Sequence, residues 1–395
     1  MNNILENIRN GRMVDNHYID RHHPYKNKYA NMWLAGIKLL VGTVDLRPRS
    51  GTFTTPWMAP SSALYKIPKL EFVSETLSDL LDQRAIEINS EANRSNKRIA
   101  IMWSGGIDST MILTSFLKNL SDNDKAKLTI ILTTTSILEN IDFYLKYIRD
   151  KIECLNYLKI NIDDNFLNQY ILLHGDPADC LFGPSIPMYL HFVQREQHLM
   201  PWKENLEKMK EHLNLFAIKN NFNVSNFGDW YVDKISNNLM ETGQDKHVTT
   251  IANWWWWAYF NFRWEFSCQR PFFYLRAKSY EKSISEKNIT DFAKNTFLNT
   301  DKFQLWSYSN LKKLINHDLS SHKQLAKDYV FEFDKNEIYF KNKIKIGTYT
   351  PSLIIRINNN RPVYYDKNWA GYNYEQPDSY RLKNILNLLL EGYKG

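Results

Sequence analysis

The sequence predicts an α/β fold: a parallel sheet with helices on both faces, then a helical lobe and short C-terminal β-hairpins. Three observations carry that expectation. Between about 98 and 190, short apolar runs alternate with amphipathic helical stretches, the pattern of parallel strands joined by crossover helices. From about 200 to 330 helical periodicity dominates, and beyond about 335 two-residue alternation returns. With 395 residues, of which 43% are hydrophobic and 14% aromatic, the chain is long enough for two lobes and a sizeable core.

Residues 1–95 read as a mixed leader. MAPSSALYKIPKLEF is punctuated by proline, whereas FVSETLSDLLDQRAIEIN has the spacing of an amphipathic helix. His17, His22 and His23 sit in the polar segment DNHYIDRHHPYKNKY and read as solvated surface. The main domain spans 96–335, with a sheet core over 96–190 and a helical lobe over 191–335. In the core, RIAIMW is the first strand, LTIILTTT the second, NYLKINI the third and QYILLHG the fourth, and SILENIDFYLKYIRDKI is a helix. In the lobe, PWKENLEKMKEHLNLFAIKNN is a helix and NWWWWAYFNFRWEF is dense in aromatics. Trp254 to Trp257 cannot all share one helix face, so some meet a neighbouring helix or a ligand; packing and a stacking platform for bases are both open. Over 336–395, NEIYFKNKIKIG and SLIIRINNNRPVYYD alternate like hairpins, and SYRLKNILNLLLEGYKG closes as a helix.

Composition narrows the function classes. The net charge of +7 is modest and spread out, so it is no nucleic-acid signature by itself. Three cysteines (Cys154, Cys180 and Cys268), with no C-x-x-C pair, suggest neither a disulfide framework nor a structural zinc site. No run of 18 apolar residues occurs, and MNNILENIRNGRMVDN is no signal peptide, so a soluble cytoplasmic protein without a membrane partner is expected.

The most informative stretch is RIAIMWSGGIDSTMILTSFL, residues 98–117. A buried strand enters Ser104-Gly105-Gly106-Ile107-Asp108-Ser109, and Ile112, Leu113, Phe116, Leu117 and Leu120 leave it at helical spacing. Adjacent glycines permit close backbone approach and positive φ. The hydroxyls of Ser104 and Ser109, free N–H groups and the helix dipole converge on an anion, which is phosphate-binding chemistry. A carboxylate beside a polyphosphate, here Asp108, suits Mg²⁺.

The hexapeptide resembles the pyrophosphate-binding loop of the ATP pyrophosphatase (adenine nucleotide alpha hydrolase) superfamily. A second segment narrows the likeness. ILLHGDPADCLFGPS resembles the asparagine-synthetase pattern SGEGADELFGGY, with Gly175, Asp176, Ala178, Asp179, Leu181, Phe182 and Gly183 in register. The resemblance implies ATP bound at Ser104, Gly105, Gly106, Asp108 and Ser109, and Mg²⁺ held by Asp108 and Asp179. Asp176 takes the place of the family's glutamate near the adenylated substrate. Cys268-Gln269-Arg270-Pro271-Phe272-Phe273 resembles the family's AR-x-PF stretch without its final acidic residue, which brings in Arg270. SSHKQLAKDYV is similar to the K-x-x-L-(R/K) segment, placing Lys323 at the transition-state lysine, with Lys327 on the same helix face.

Departures fall on the acceptor side. Pro177 replaces glycine, Cys180 replaces an acidic residue, and Pro184-Ser185 replace Gly-Tyr. An acidic residue that the family carries upstream has only Asn253 as a polar candidate. The chain begins Met-Asn, and about 95 residues precede the loop, so no glutaminase domain is expected; nitrogen would come from ammonia, a glutaminase partner or an amine on the acceptor. What the likeness implies is a Mg²⁺-dependent ligase that adenylates a small carboxylate, releases pyrophosphate and forms an amide. A nucleobase- or tRNA-modifying ATP pyrophosphatase and a non-catalytic nucleotide-binding protein stand as alternatives.

Overall fold

The computed structural model describes residues 49–50, 65–157, 159–183, 192, 195–219, 225–278, 285–314 and 323–341. Along the first half of the chain run α1 (Leu77–Arg94), β1 (Arg98–Met102), α2 (Ile107–Asn119), β2 (Leu128–Leu132), α3 (Thr134–Glu139), β3 (Glu153–Asn156), α4 (Asp164–Gln169), β4 (Tyr170–Leu173) and α5 (Ala178–Leu181). Then follow α6 (Leu206–Lys219), α7 (Phe227–Glu241), α8 (Ile251–Lys278), α9 (Glu286–Asn295), α10 (Asp301–Ser309), α11 (Gln324–Asp334) and α12 (Glu337–Lys341). Chain contacts divide these into two units. One combines Glu75–Asp176, Pro271–Asn299 and Lys323–Gly395; the other combines Met1–Ser74, Pro177–Arg270 and Thr300–His322.

The first unit is a four-stranded parallel sheet with helices. β1 and β4 are buried except at their first residue and β2 throughout, so successive side chains on both faces are covered. β1 is central, with Ile99 opposite Leu128 of β2 and Ile171 of β4. The order is β3-β2-β1-β4. The chain steps outward from β1 to β2 and β3, then returns to the other side of β1. That reversal is a topological switch point at the carboxyl ends of β1 and β4, the place where open α/β sheets bind ligands. α1 starts at a capping box: the Asp79 N–H donates to the Thr76 hydroxyl, and the Asp79 carboxylate accepts from the Thr76 N–H. Its buried Leu77, Leu80, Leu81, Ala85, Ile88 and Ala92 keep helical spacing, and the helix packs on α2.

Three elements differ from the sequence expectation. The third strand is Glu153–Asn156, ending where NYLKINI begins. It is set by pairing with β2, from Thr129 opposite Glu153 to Leu132 opposite Asn156, and none of its residues is fully buried, so this edge strand has no apolar run to betray it. The helix expected over SILENIDFYLKYIRDKI breaks at Asn140, whose φ of −150° and ψ of 70° leave the helical region. The Asn140 side chain caps a new turn at Phe143, and Tyr144–Ile148 continues as a π-helix. Within NEIYFK, residues 337–341 form α12, started by Asn336, whose Oδ1 accepts the Tyr339 N–H at 2.9 Å; Tyr339 is buried. The rest of the expected hairpins, the final helix, Pro184-Ser185 and the histidine trio lie outside the described residues.

The second unit is helical, with α6 and α7 packed side by side. α8 carries the tryptophan run, and all four indoles are fully buried. Trp254 donates to Ser236 Oγ, Trp256 to Ser307 Oγ at 2.8 Å and Trp257 to Gln244 Oε1 at 3.0 Å. Trp256, Phe260 and Trp264 stack in series along the helix, with centroids 4.0 and 4.7 Å apart. The run is thus interior packing, and no indole is open for a base to stack on. The buried Arg49 guanidinium donates to the carbonyls of Tyr65, Lys66 and Phe260 and to Gln304, fastening residues 65–66 to α8. Burial pulls its pKa down to about 10. Among the described residues, no helix is long and apolar enough to cross a membrane.

Candidate functional site

The loop after β1 lies at the switch point. Trp103 continues the ladder, its N–H on the Ile131 carbonyl, and Thr110 N–H reaches back to Gly106 O to start α2. Gly105 is at φ +74°, and a Cβ there would meet the Ser136 carbonyl oxygen at 2.2 Å, so only glycine fits. The two hydroxyls organise the turn. Ser104 N–H donates to Ser109 Oγ at 3.0 Å, Gly106 N–H donates to Ser104 Oγ at 3.2 Å, and the two Oγ atoms are 2.9 Å apart. No side chain caps α2 at Gly106. The N–H groups of Ile107, Asp108 and Ser109 in its first turn have no intrahelical acceptor, so donors and the positive end of the dipole meet here.

β4 brings the second rim segment alongside. A Cβ on Gly175 would stand 3.0 Å from both Asp108 Cβ and Ser109 N, so the glycine lets the backbone after β4 lie against the first turn of α2. His174 stacks on Phe292 with centroids 5.2 Å apart, and Nδ1 is 4.0 Å from an Asp176 carboxylate oxygen. Asp176 is therefore just past the carboxyl end of β4, with its side chain 18% exposed.

Lys323 comes to the loop from α11. Its Nζ lies 2.7 Å from Asp108 Oδ1 and 2.6 Å from Oδ2, with its side chain only 9% exposed. The sequence expectation put Lys323 and Lys327 on one helix face. Lys323 instead caps α11 from outside, at a left-handed φ of 62°, while its carbonyl accepts the Lys327 N–H at 3.1 Å. A lysine held in that backbone region is strained, and the two-oxygen grip on Asp108 shows what holds it. The Lys323 ammonium is thus seated on the carboxylate in the first turn of α2.

Asp179, Cys180, Asn253 and Arg270 belong to the helical unit. Asp179 is in the first turn of α5, and Arg270 is on α8. Cys180 is fully buried, with Sγ 3.6 Å from Ser267 Oγ, a packing position. Asn253 is spent on the start of α8, its Oδ1 accepting from Thr250 N–H and Oγ1. Among the described residues, no three His, Cys, Asp or Glu side chains are grouped for a metal ion. Mg²⁺ on a nucleotide needs fewer, since one or two carboxylates and the phosphates serve.

Two residues beneath the loop were not legible in the sequence. Glu139, at the end of α3, is buried, and its Oε1 would lie 3.2 Å from a Cβ on Gly106. Tyr339, on α12, is 4% exposed and donates its hydroxyl to Gly105 O at 3.1 Å. Burial, aided by the Glu139 and Asp108 carboxylates, drives the Tyr339 phenol well above its ordinary pKa, so it stays a donor. No local signal marks either, because both reach the loop through the fold.

No family model matches the chain, and neither a curated protein nor a solved structure matches it.

Proposed function

We propose that this protein is an ATP-dependent, AMP- and pyrophosphate-forming amide ligase, similar to the synthetase domain of asparagine synthetases, with the adenine nucleotide alpha hydrolase type of fold. The observation that carries this reading is the SGGIDS loop at the switch point of a parallel sheet, with Lys323 seated on Asp108. Ser104, Gly105, Gly106 and Ser109 would hold the β- and γ-phosphates through backbone donors and hydroxyls. Lys323 would leave Asp108 for the phosphates, where negative charge builds as the α–β bond breaks. Asp108 is then free as a hard oxygen ligand, which fits Mg²⁺ beside a polyphosphate. The ion would supply charge neutralisation to the departing pyrophosphate. Asp176, at the rim after β4, would take a proton from the attacking amine. Motif position alone assigns Asp179 to the ion and Arg270 to the acceptor side.

The test is exchange of labelled pyrophosphate into ATP in the presence of candidate small carboxylates, with nucleotide chromatography after one turnover. AMP and carboxylate-dependent exchange are expected. Asp108→Asn should lower exchange by about a hundredfold or more, the usual loss for one electrostatic stabiliser. Clean ADP formation, or unchanged exchange in that variant, would overturn the reading.

A further inference from the structure

The Gly105–Gly106 peptide is the one bond in the loop whose direction glycine leaves unguarded. Both flanking residues lack a Cβ, so the peptide plane can turn over at small steric cost. Its two polar ends would treat an anion oppositely. As placed, the Gly106 N–H points to Ser104 Oγ, in the hydroxyl pair at the head of α2, and the Gly105 carbonyl points the other way. Flipped, the carbonyl oxygen would stand among the donors and repel a phosphate.

Two groups meet the carbonyl on its far side. Tyr339 OH lies at 3.1 Å, and Thr110 Oγ1 lies at 3.4 Å while accepting from Trp103 Nε1 at 3.1 Å. Tyr339 is the shorter, and α12 is fixed for it: the Asn336 side chain caps Tyr339 N–H and reaches Asp142 Oδ2 at 3.1 Å. We propose that Tyr339 is a positioning residue of the phosphate loop, holding the Gly105–Gly106 peptide so that its N–H, not its carbonyl, faces the bound polyphosphate. The inference rests on the nucleotide reading of the loop and adds a residue that touches neither nucleotide nor acceptor.

The experiment uses the full chain, with inorganic pyrophosphate plus Mg²⁺ as the probe in calorimetry. Tyr339→Phe deletes only the hydroxyl and should weaken binding by about tenfold, the size of one hydrogen bond, while the melting temperature moves little. 4-Aminophenylalanine at 339 returns a donor and should restore affinity. Orientation is read directly. Gly105–Gly106 is the only Gly-Gly bond in the sequence, so glycine labelled with ¹³C at the carbonyl and with ¹⁵N gives one carbonyl-correlated amide signal. That signal should shift or double in Tyr339→Phe and return with the amino analogue. An unmoved signal with unchanged affinity would overturn the proposal, as would a tenfold loss that the amino analogue does not repair. Failure of the unaltered protein to bind pyrophosphate or ATP would sink the nucleotide reading and this inference with it. Binding intact in both proteins would sink this inference alone.

Discussion

Lys323→Ala and Lys323→Gly differ by one methyl group, yet the structure separates them. Either change removes an ammonium 2.6–2.7 Å from both Asp108 oxygens. At an effective dielectric near 20, the bare attraction at that distance is about 6 kcal/mol. Much of it offsets the cost of taking both groups from water, and breaking a buried pair costs about 3–5 kcal/mol. Asp108 keeps 28% side-chain exposure, so water partly replaces the lost partner and about 2–3 kcal/mol is expected. Alanine also keeps the strain of a side chain at φ 62°, whereas glycine relieves about 1–2 kcal/mol of it. Glycine is moreover the better residue at a helix N-cap. Lys323→Gly should therefore melt about 2–8 °C above Lys323→Ala, and both below the parent protein. On the proposed ligase reading both should bind ATP but not form adenylate, because the charge would be needed mainly in the transition state. Differential scanning calorimetry alongside pyrophosphate exchange measures the two effects. A glycine variant no more stable than the alanine variant would refute the backbone argument, and an alanine variant as stable as the parent would refute the pair.

Gly105→Ala should cost about 3 kcal/mol or more, since its Cβ would collide with the Ser136 carbonyl at a positive φ; urea denaturation reads the loss, and a neutral result would contradict the loop geometry. Trp256→Phe should cost more than Trp255→Phe, because Trp256 Nε1 donates to Ser307 whereas the buried Trp255 Nε1 has no acceptor among the described residues. Equal losses would count against that difference. Burial, with the Glu153 and Asp150 carboxylates adding to it, pushes the Cys154 thiol up to about 11, so its thiolate is scarce at pH 8. Alkylation there by iodoacetamide should run about a hundredfold slower in the folded protein than in urea, and equal rates would refute the shift.

The strands were legible where burial wrote them into the sequence. β1, β2 and β4 are apolar runs because both faces are covered, and each lies inside its expected segment. β3 lacked that signature, as a half-buried edge whose position is fixed by its partner, so the apolar alternation of NYLKINI drew the expected start three residues too far along. The turn between β1 and α2 was legible because its glycines and hydroxyls are consecutive and hydrogen-bond one another locally. Lys323 was reached through a likeness of short segments, but its left-handed backbone was not, since nothing in SSHKQL forbids an ordinary helical turn. Glu139 and Tyr339 left no trace, because their meaning exists only after α3 and α12 have docked against Gly105 and Gly106.

The sheet unit is gathered from stretches far apart in the chain, and this sets a schedule for its synthesis. Lys323 follows Asp108 by 215 residues, and Tyr339 acts across a separation of 234 from Gly105. At ordinary translation speeds the loop leaves the ribosome on the order of 10–50 s before the residues that grip it. In that interval Asp108 has no ammonium beside it, and the Gly-Gly peptide is free to point either way. A nascent or truncated chain thus carries the loop's sequence without its working geometry. On the proposed nucleotide reading, competence to hold a polyphosphate would arrive late, as a property of a chain that has been read at least through residue 339.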